Sequence, residues 1–124
     1  MPYSSNAKYA GYFFAVIIFF FGLNHLIIPD VMVKEMPTYL PFPKLLVYLV
    51  GVVLILCSVA FFTHKKMTLA GYVLGVMIVA IAFIIHGSGI LYAGSLDERK
   101  LAAILFAKDM AIAAGAFYIG SKPA

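Results

Sequence analysis

Four long apolar stretches divide the chain, and the shorter segments between them hold most of the charged residues. The stretches run from about Tyr9 to Ile28, Leu45 to Phe62, Met67 to Tyr92 and Leu101 to Ile119. Each is close to or longer than the about 20 apolar residues that a helix needs to cross a bilayer core. Because lipid offers no partner to backbone N–H and C=O groups, such stretches have to be helical. The pattern predicts an all-α fold, an integral membrane four-helix bundle.

The connections between the predicted helices differ in kind. One long proline-rich loop, with four prolines in PDVMVKEMPTYLPFPK, joins helices 1 and 2. Each proline fixes a backbone angle and removes a hydrogen-bond donor, so the loop is expected to be ordered. The other connections, THKK and AGSLDERK, are short and polar, as neighbouring antiparallel helices require. No stretch could form a separate soluble core, so residues 1–124 are expected to form a single four-span transmembrane domain.

Composition supports a membrane location and excludes a nucleic-acid partner. Of the 124 residues, 65% are hydrophobic and 11% are charged, whereas roughly a quarter of residues are charged in soluble domains. The basic residues are scattered, with no run longer than Lys65-Lys66, so no nucleic-acid surface is predicted. The first apolar stretch exceeds the core of a signal peptide and is expected to be a retained span.

Charged residues mark the two ends of the predicted bundle. The end that carries the termini has the basic residues Lys8, Lys65, Lys66 and Lys122, and the opposite end has Lys34, Lys44, Arg99 and Lys100. The acids Asp30, Glu35, Asp97 and Glu98 all fall at that opposite end. Acids weigh little in membrane topology, and the basic residues are tied. The count does not decide the orientation, and we expect both termini to be cytoplasmic.

Small residues predict the faces on which helices pack closely. In the last helix, small residues recur every four positions at Ala103, Ala107, Ala111 and Gly115. The third helix has Gly71 and Gly75, and the first has the line Gly11, Ala15, Ile18 and Gly22. His25 continues the line of the first helix, and His86 continues Gly75 and Ala82, so both histidines are expected to point into the bundle.

Polar residues inside the apolar stretches fall at similar depth, below the proline-rich loop. At about 1.5 Å of rise per residue, His25 lies roughly 5 Å, His86 roughly 9 Å and Lys108 with Asp109 roughly 12 Å inside the loop end. Ionisable groups in a membrane cost at least about 2.5 kcal/mol each, so a functional site is the default hypothesis. The candidate catalytic residues are Lys108, Asp109, His25 and His86. The candidate cofactor-binding residues in the same layer are Asn24, Tyr48 and Gly51.

Lys108 and Asp109 are adjacent in sequence and therefore about 100° apart around a helix. They are not expected to face each other squarely, and each is expected to find a partner on another helix or in a water-filled cavity. A structural alternative is that nearby polar groups or backbone carbonyls neutralise the pair and only fix the order of the helices.

The remaining candidate groups predict little chemistry. Cys57 is the only cysteine, so neither a disulfide nor a thiolate cluster can form, and no metal site is predicted. We expect Cys57 to pack as a small hydrophobe. His64, beside Lys65 and Lys66, is expected to be solvated or to contact lipid headgroups.

Two segments resemble the DoxX-like family of small bacterial membrane proteins. FGLNHLIIPDVMVKEMPTYLPFPKLLVYLVG resembles the first half of these proteins, and LFAKDMAIAAGAF resembles their last helix. The matching positions are Gly22, His25, Pro29, Pro37, Pro41, Gly51, Lys108 and Asp109. Family members often carry a glutamate where this chain has Leu54, which leaves Asp109 as the only deep acid.

The resemblance implies a multi-pass protein of the bacterial cytoplasmic (inner) membrane. It predicts a membrane component of a redox system, linked to quinones or thiols, with a polar intramembrane site. The alternative is a non-catalytic accessory subunit or assembly factor, with the loop segment MPTYLPFP as a docking surface. Expected partners are the lipid bilayer, another membrane protein or a second copy of this chain, and a quinone. The cofactor stays unknown, since two histidines are weak grounds for a haem, and four helices leave little room for a transport pathway.

Overall fold

The computed structural model describes residues 5–122 of the chain. All four predicted spans are helical. Helix α1 is Ser5–Ile27, α2 is Pro29–Val33 and α3 is Pro43–Thr63. The third span consists of α4 (Met67–Ile81), a π-helical segment (Ala82–Gly87) and α5 (Ser88–Tyr92), and α6 is Leu96–Ser121. Four helices are long and apolar enough to cross a membrane: Asn6–Ile27, Pro43–Thr63, Met67–Tyr92 and Leu96–Ser121. The predicted all-α four-helix bundle of a multi-pass membrane protein is confirmed.

The bundle is built from two close helix pairs, α1 with α3 and α4 with α6. Contacts between α3 and α4 connect the two pairs. The core between them contains small and branched apolar side chains, among them Ala15, Ile18, Leu54, Leu74 and Ala116. Large apolar side chains also cover the outside, as at Phe13, which is 70% exposed. In water such a surface would be costly, so these outward side chains contact the lipid bilayer.

Glycines allow the helices of each pair to approach closely. A Cβ atom placed on Gly51 of α3 would lie 2.8 Å from His25 Cβ and 3.2 Å from the carbonyl oxygen of Gly22 on α1. A Cβ atom on Gly71 of α4 would lie 2.5 Å from Gly120 Cα on α6. Carbon atoms pack at about 3.5–4.0 Å, so side chains at these positions would push the helices apart. The prediction that the first helix and the third span each pack closely through small residues is confirmed at Gly22 and Gly71, but not at Gly11, where an added Cβ would meet nothing within 4 Å.

The predicted packing face of the last helix is wrong. Ala103, Ala107 and Ala111 are exposed, and only Gly115 of that stripe is half-buried. The buried face of α6 is instead formed by Ala102, Asp109, Ala113, Ala116, Ile119 and Gly120. Alanines are frequent on both faces of this helix, so a spacing of four residues fits both. The neighbouring helix α4 selects the face on which Gly120 meets Gly71.

Helix α6 begins five residues before the predicted start at Leu101, because Ser95 in AGSLDERK caps the helix. The Ser95 Oγ accepts a hydrogen bond from the Glu98 N–H at 3.1 Å. Glu98 Oε2 in turn accepts one from the Gly94 N–H at 2.9 Å. A serine followed three residues later by a glutamate is a recognised helix start. This signal was present in the sequence and could have located the boundary.

The proline-rich loop is ordered and includes the short helix α2, which begins at Pro29. The Tyr39 hydroxyl and Ser88 Oγ lie 3.1 Å apart, which attaches the loop to α5. Asp30 and Lys44 form an exposed ion pair at 3.6 Å across the loop. Phe42 has a backbone φ angle of 49° and so adopts the left-handed conformation, just before α3 begins at Pro43. The loop thus covers one end of the bundle, directly above the predicted polar layer.

Candidate functional site

Asp109 and His86 form the centre of a polar site between α6 and the third span. Asp109 lies on the packing face of α6 and is 6% exposed. Its Oδ2 atom is 3.2 Å from Nε2 of His86, whose side chain is 13% exposed. When the carboxylate is ionised, Nε2 carries the hydrogen and donates it to Asp109. The prediction that Asp109 finds its partner on another helix is confirmed.

His86 projects from the π-helical segment, a feature that the sequence pattern did not predict. A π-helical turn contains an additional residue, and such turns frequently occur at functional sites. Just beyond the segment, the Ser88 hydroxyl donates a hydrogen bond to the Ile84 carbonyl at 2.6 Å, supporting the altered backbone. Ser88 also contacts the loop residue Tyr39. Hydrogen bonds of Ser88 therefore link the loop to the π-helical segment that carries His86.

Lys108 contacts the same carboxylate from its own helix. Its Nζ atom is 3.5 Å from Asp109 Oδ1, and its side chain is 49% exposed. The long lysine side chain bends round the helix, so Lys108 contacts its sequence neighbour, which was not expected, as well as a residue on another helix, which was. Its ammonium group also lies 5.9 Å from the ring centroid of Phe21 on α1, within the range of a cation–π contact. Asp109 is thus flanked by a lysine and a histidine.

His25 is hydrogen-bonded to the backbone of Phe21, one helical turn earlier on α1. The His25 Nδ1 atom is 2.7 Å from the Phe21 carbonyl oxygen. A carbonyl only accepts hydrogen bonds, so Nδ1 carries the hydrogen, and Nε2 of the neutral ring is an acceptor. Within residues 5–122, His25 makes no hydrogen bond or ion pair with the His86–Asp109 pair. Three of the four candidate catalytic residues meet directly, and the fourth is linked to Lys108 only through Phe21.

A cavity of about 230 Å³ lies beneath the proline-rich loop, between α1, α3 and α4. His25 is its single ionisable lining residue. Ile84 and Ile85, which immediately precede His86 in the π segment, also line it. The other lining residues are Met32, Met36, Leu40, Leu46, Val47, Val50, Met77, Ala80 and Ile81. The cavity is therefore apolar, with one imidazole available to orient a ligand.

The three candidate cofactor-binding residues do not line this cavity. Asn24 and Tyr48 lie on the exposed surface of α1 and α3. Gly51 is buried in the α1–α3 crossing against His25 and Leu26. The sequence predicts a similar depth in the membrane for these three residues. They point in different directions around their helices, so they do not meet in one site. Leu54, at the position where the resemblance would lead one to expect a glutamate, is buried in the apolar core.

The two other residues singled out from the sequence have plain structural roles. Cys57 is 4% exposed, and its Sγ lies 3.6 Å from the Ala70 carbonyl oxygen, joining α3 to α4. Its prediction as a packing residue is confirmed. His64 is exposed, as predicted, and its Nε2 is 3.0 Å from the Tyr12 hydroxyl. Neither residue belongs to the polar site.

No family model, curated protein or solved structure matches the chain. Nor does any group of three His, Cys, Asp or Glu side chains within residues 5–122 have the placement to hold a metal ion.

The geometry suits proton transfer. An imidazole hydrogen-bonded to a carboxylate can take up or release a proton, while the carboxylate holds the ring in place and balances its charge. Burial strengthens this interaction, because the low dielectric of the interior screens charges weakly. Lys108 adds a positive charge within reach of the same carboxylate. The His86–Asp109–Lys108 cluster is the candidate functional site.

Proposed function

We propose that this chain is a DoxX-like component of a redox system in the bacterial cytoplasmic membrane. In this proposal, the His86–Asp109–Lys108 cluster exchanges protons with a quinone-type lipophile bound nearby. The observation that carries the proposal is the buried Asp109, held between His86 of the π segment and Lys108. A purely structural lock between membrane helices is more cheaply made from uncharged polar residues, which supports a functional reading of this cluster.

The cavity beneath the loop fits the head group of such a ligand. Drug-sized ligands occupy pockets of about 300–1,000 Å³. A cavity of about 230 Å³ is smaller and suits a single substituted ring, with an apolar tail extending into lipid. The His25 Nε2 can accept a hydrogen bond from a ring hydroxyl, since Nδ1 already donates to the Phe21 carbonyl. Apolar walls with one orienting polar group are typical of ligand sites.

The protein side of the chemistry is limited to binding and proton handling. When bound, a quinone would supply the electron-accepting chemistry. Electrons would come from a partner protein, because the single buried Cys57 cannot cycle as a dithiol. Asp109 orients the His86 ring and balances its charge, and His86 exchanges the proton. His25 orients the ring in the cavity.

Replacing Asp109 with asparagine tests the proposal, since Asp109→Asn keeps the shape of the side chain and removes its charge. We expect the variant to accumulate in the membrane and to lose proton-coupled quinone reduction in vesicles supplied with the partner. The control is Asp30→Asn, which removes an exposed carboxylate from the loop and should leave that activity unchanged.

Purification in mild detergent gives an independent result. We expect mass spectrometry to detect a co-purifying quinone, and a short-chain quinol analogue, whose hydroxyl can donate to His25 Nε2, to bind the purified protein with a saturable signal. His25→Leu should weaken this binding, because it removes the single ionisable group from the cavity wall. A quinone-free preparation that neither binds the analogue nor responds to this substitution would contradict the proposal.

One observation favours the accessory or assembly role as a second candidate. The stripe of Ala103, Ala107 and Ala111 on α6 is exposed and is not buried against any other part of residues 5–122. Small residues at this spacing allow another membrane helix to approach. If this role is correct, Ala107→Leu should abolish a stable complex with another membrane protein or with a second copy of the chain. Quinone binding should not change, and it should be absent if the unmodified protein binds no quinone.

A further inference from the structure

A second cavity, also of about 230 Å³, lies at the end of the bundle opposite the proline-rich loop. It opens between the start of α1 and the end of α6, and the α3–α4 turn contributes to its wall. Its apolar lining includes Gly11, Phe14, Phe61 and Gly115. Its two basic lining residues are Lys8 and His64. The cavity thus combines a long apolar wall with basic groups.

All charged side chains at this end of the bundle are basic. They are Lys8, Lys65, Lys66 and Lys122. The five acids of the chain lie elsewhere, with Asp30, Glu35, Asp97 and Glu98 at the loop end and Asp109 inside the bundle. Basic and acidic side chains are balanced at the loop end. The end with the second cavity therefore carries a positive field with no side-chain carboxylate to offset it.

Aromatic rings hold some of these basic groups near the cavity. The Lys8 Nζ lies 5.9 Å from the ring centroid of Tyr12. The Tyr12 hydroxyl is 3.0 Å from His64 Nε2, so Lys8 and His64 gather about one tyrosine. Lys122 Nζ lies 4.5 Å from the centroid of Tyr118, another lining residue. Tyrosines with lysines are typical of the headgroup level of a membrane.

We propose that this cavity binds an anionic phospholipid, with an acyl chain against its apolar wall and the phosphate beside Lys8 and His64. A soluble anion would gain nothing from the apolar wall, and an uncharged lipid would gain nothing from the lysines. Basic pockets between membrane helices are known to bind the headgroups of anionic phospholipids. The site is separate from the His86–Asp109 pair, and the proposal does not depend on the proposed redox function.

Native mass spectrometry can measure the preference directly. The full chain is purified in mild detergent and exposed to phosphatidylglycerol or phosphatidylcholine with identical acyl chains. We expect at least one phosphatidylglycerol to stay bound under conditions that strip phosphatidylcholine. Lys8→Gln should lower the retained phosphatidylglycerol about fivefold, since a lysine near an anionic headgroup contributes about 1 kcal/mol. Lys100→Gln, at the charge-balanced end, should leave retention unchanged.

A cavity-filling variant tests the acyl part of the site. A Cβ atom at Gly11 would have no neighbour within 4 Å, although Gly11 lines the cavity. Gly11→Leu should therefore fold normally, with an unchanged circular dichroism spectrum, and occupy the space needed by the acyl chain. We expect it to lose the retained phosphatidylglycerol even though every lysine is present. This variant keeps the test decisive if Lys8→Gln fails to accumulate.

Four results would overturn the proposal. One is equal retention of the two lipids by the unmodified chain. Another is normal phosphatidylglycerol retention by Gly11→Leu, which would place the lipid outside the cavity. The third is an equal loss in Lys8→Gln and Lys65→Gln, which would indicate a general attraction to the basic end. The fourth is competition of inorganic phosphate with phosphatidylglycerol that is equally strong in Gly11→Leu, which would identify a site for a soluble anion and not for a lipid.

Discussion

Gly71→Ala tests the claim that direct backbone contact between α4 and α6 holds half of the bundle together. The added Cβ atom would lie 2.5 Å from Gly120 Cα, 2.6 Å from the Ala116 carbonyl oxygen and 2.6 Å from Gly120 N. All three neighbours are backbone atoms, so no side-chain rotation can relieve the clash. Since carbon contacts are favourable at about 3.5–4.0 Å, the two helices must separate by about 1 Å.

The magnitude follows from this forced separation. Overpacking a well-packed site costs about 1–3 kcal/mol. Here the cost should reach the upper part of that range, because α4 and α6 form one of the two close pairs and contacts along the crossing loosen together. Alanine is also a better helix former than glycine, by up to about 1 kcal/mol. A control is needed to separate that gain from the clash.

Gly11→Ala is the matched control, since it makes the same chemical change in α1, where the Cβ atom meets nothing within 4 Å. Both variants share the gain in helix propensity, so the difference between them isolates the clash. We expect Gly71→Ala to be less stable than Gly11→Ala by about 2–3 kcal/mol. The measurement is reversible unfolding in mixed micelles of dodecyl maltoside and sodium dodecyl sulfate, followed by circular dichroism. Equal unfolding midpoints would refute the backbone contact.

Two further predictions concern the ends and the core of the bundle. Ser95→Ala should destabilise the protein by about 1 kcal/mol in the same unfolding assay, because Ser95 caps α6 through the Glu98 N–H; an unchanged midpoint would show that the cap contributes nothing. Cys57 should react with a maleimide in mild detergent far more slowly than a cysteine introduced by Ser121→Cys, since Cys57 is buried and residue 121 is exposed. Equal rates for the two thiols would contradict the closed α3–α4 contact.

The sequence by itself determined the four spans and the inward faces of the first and third helices. Lipid acts on every residue in the same way, so apolar length suffices to locate a spanning helix before its neighbours are known. The line Ala15, Ile18 and Gly22 on the first helix could be identified for a similar reason, because large apolar residues surround a single narrow set of small ones. Following the line from Gly75 and Ala82 located His86 on the inner side, where the structure has it.

The tertiary structure alone decided the packing face of α6 and the membership of the polar site. Alanines occur on several faces of α6, and only contact with Gly71 on α4 selects the face that contains Gly120 and Asp109. The π segment, the bend of Lys108 back to Asp109 and the separation of Tyr48 from the site also depend on neighbouring helices. Sequence fixes the depth of a side chain, because rise along a helix is constant. Its direction relative to other helices is set by how those helices pack.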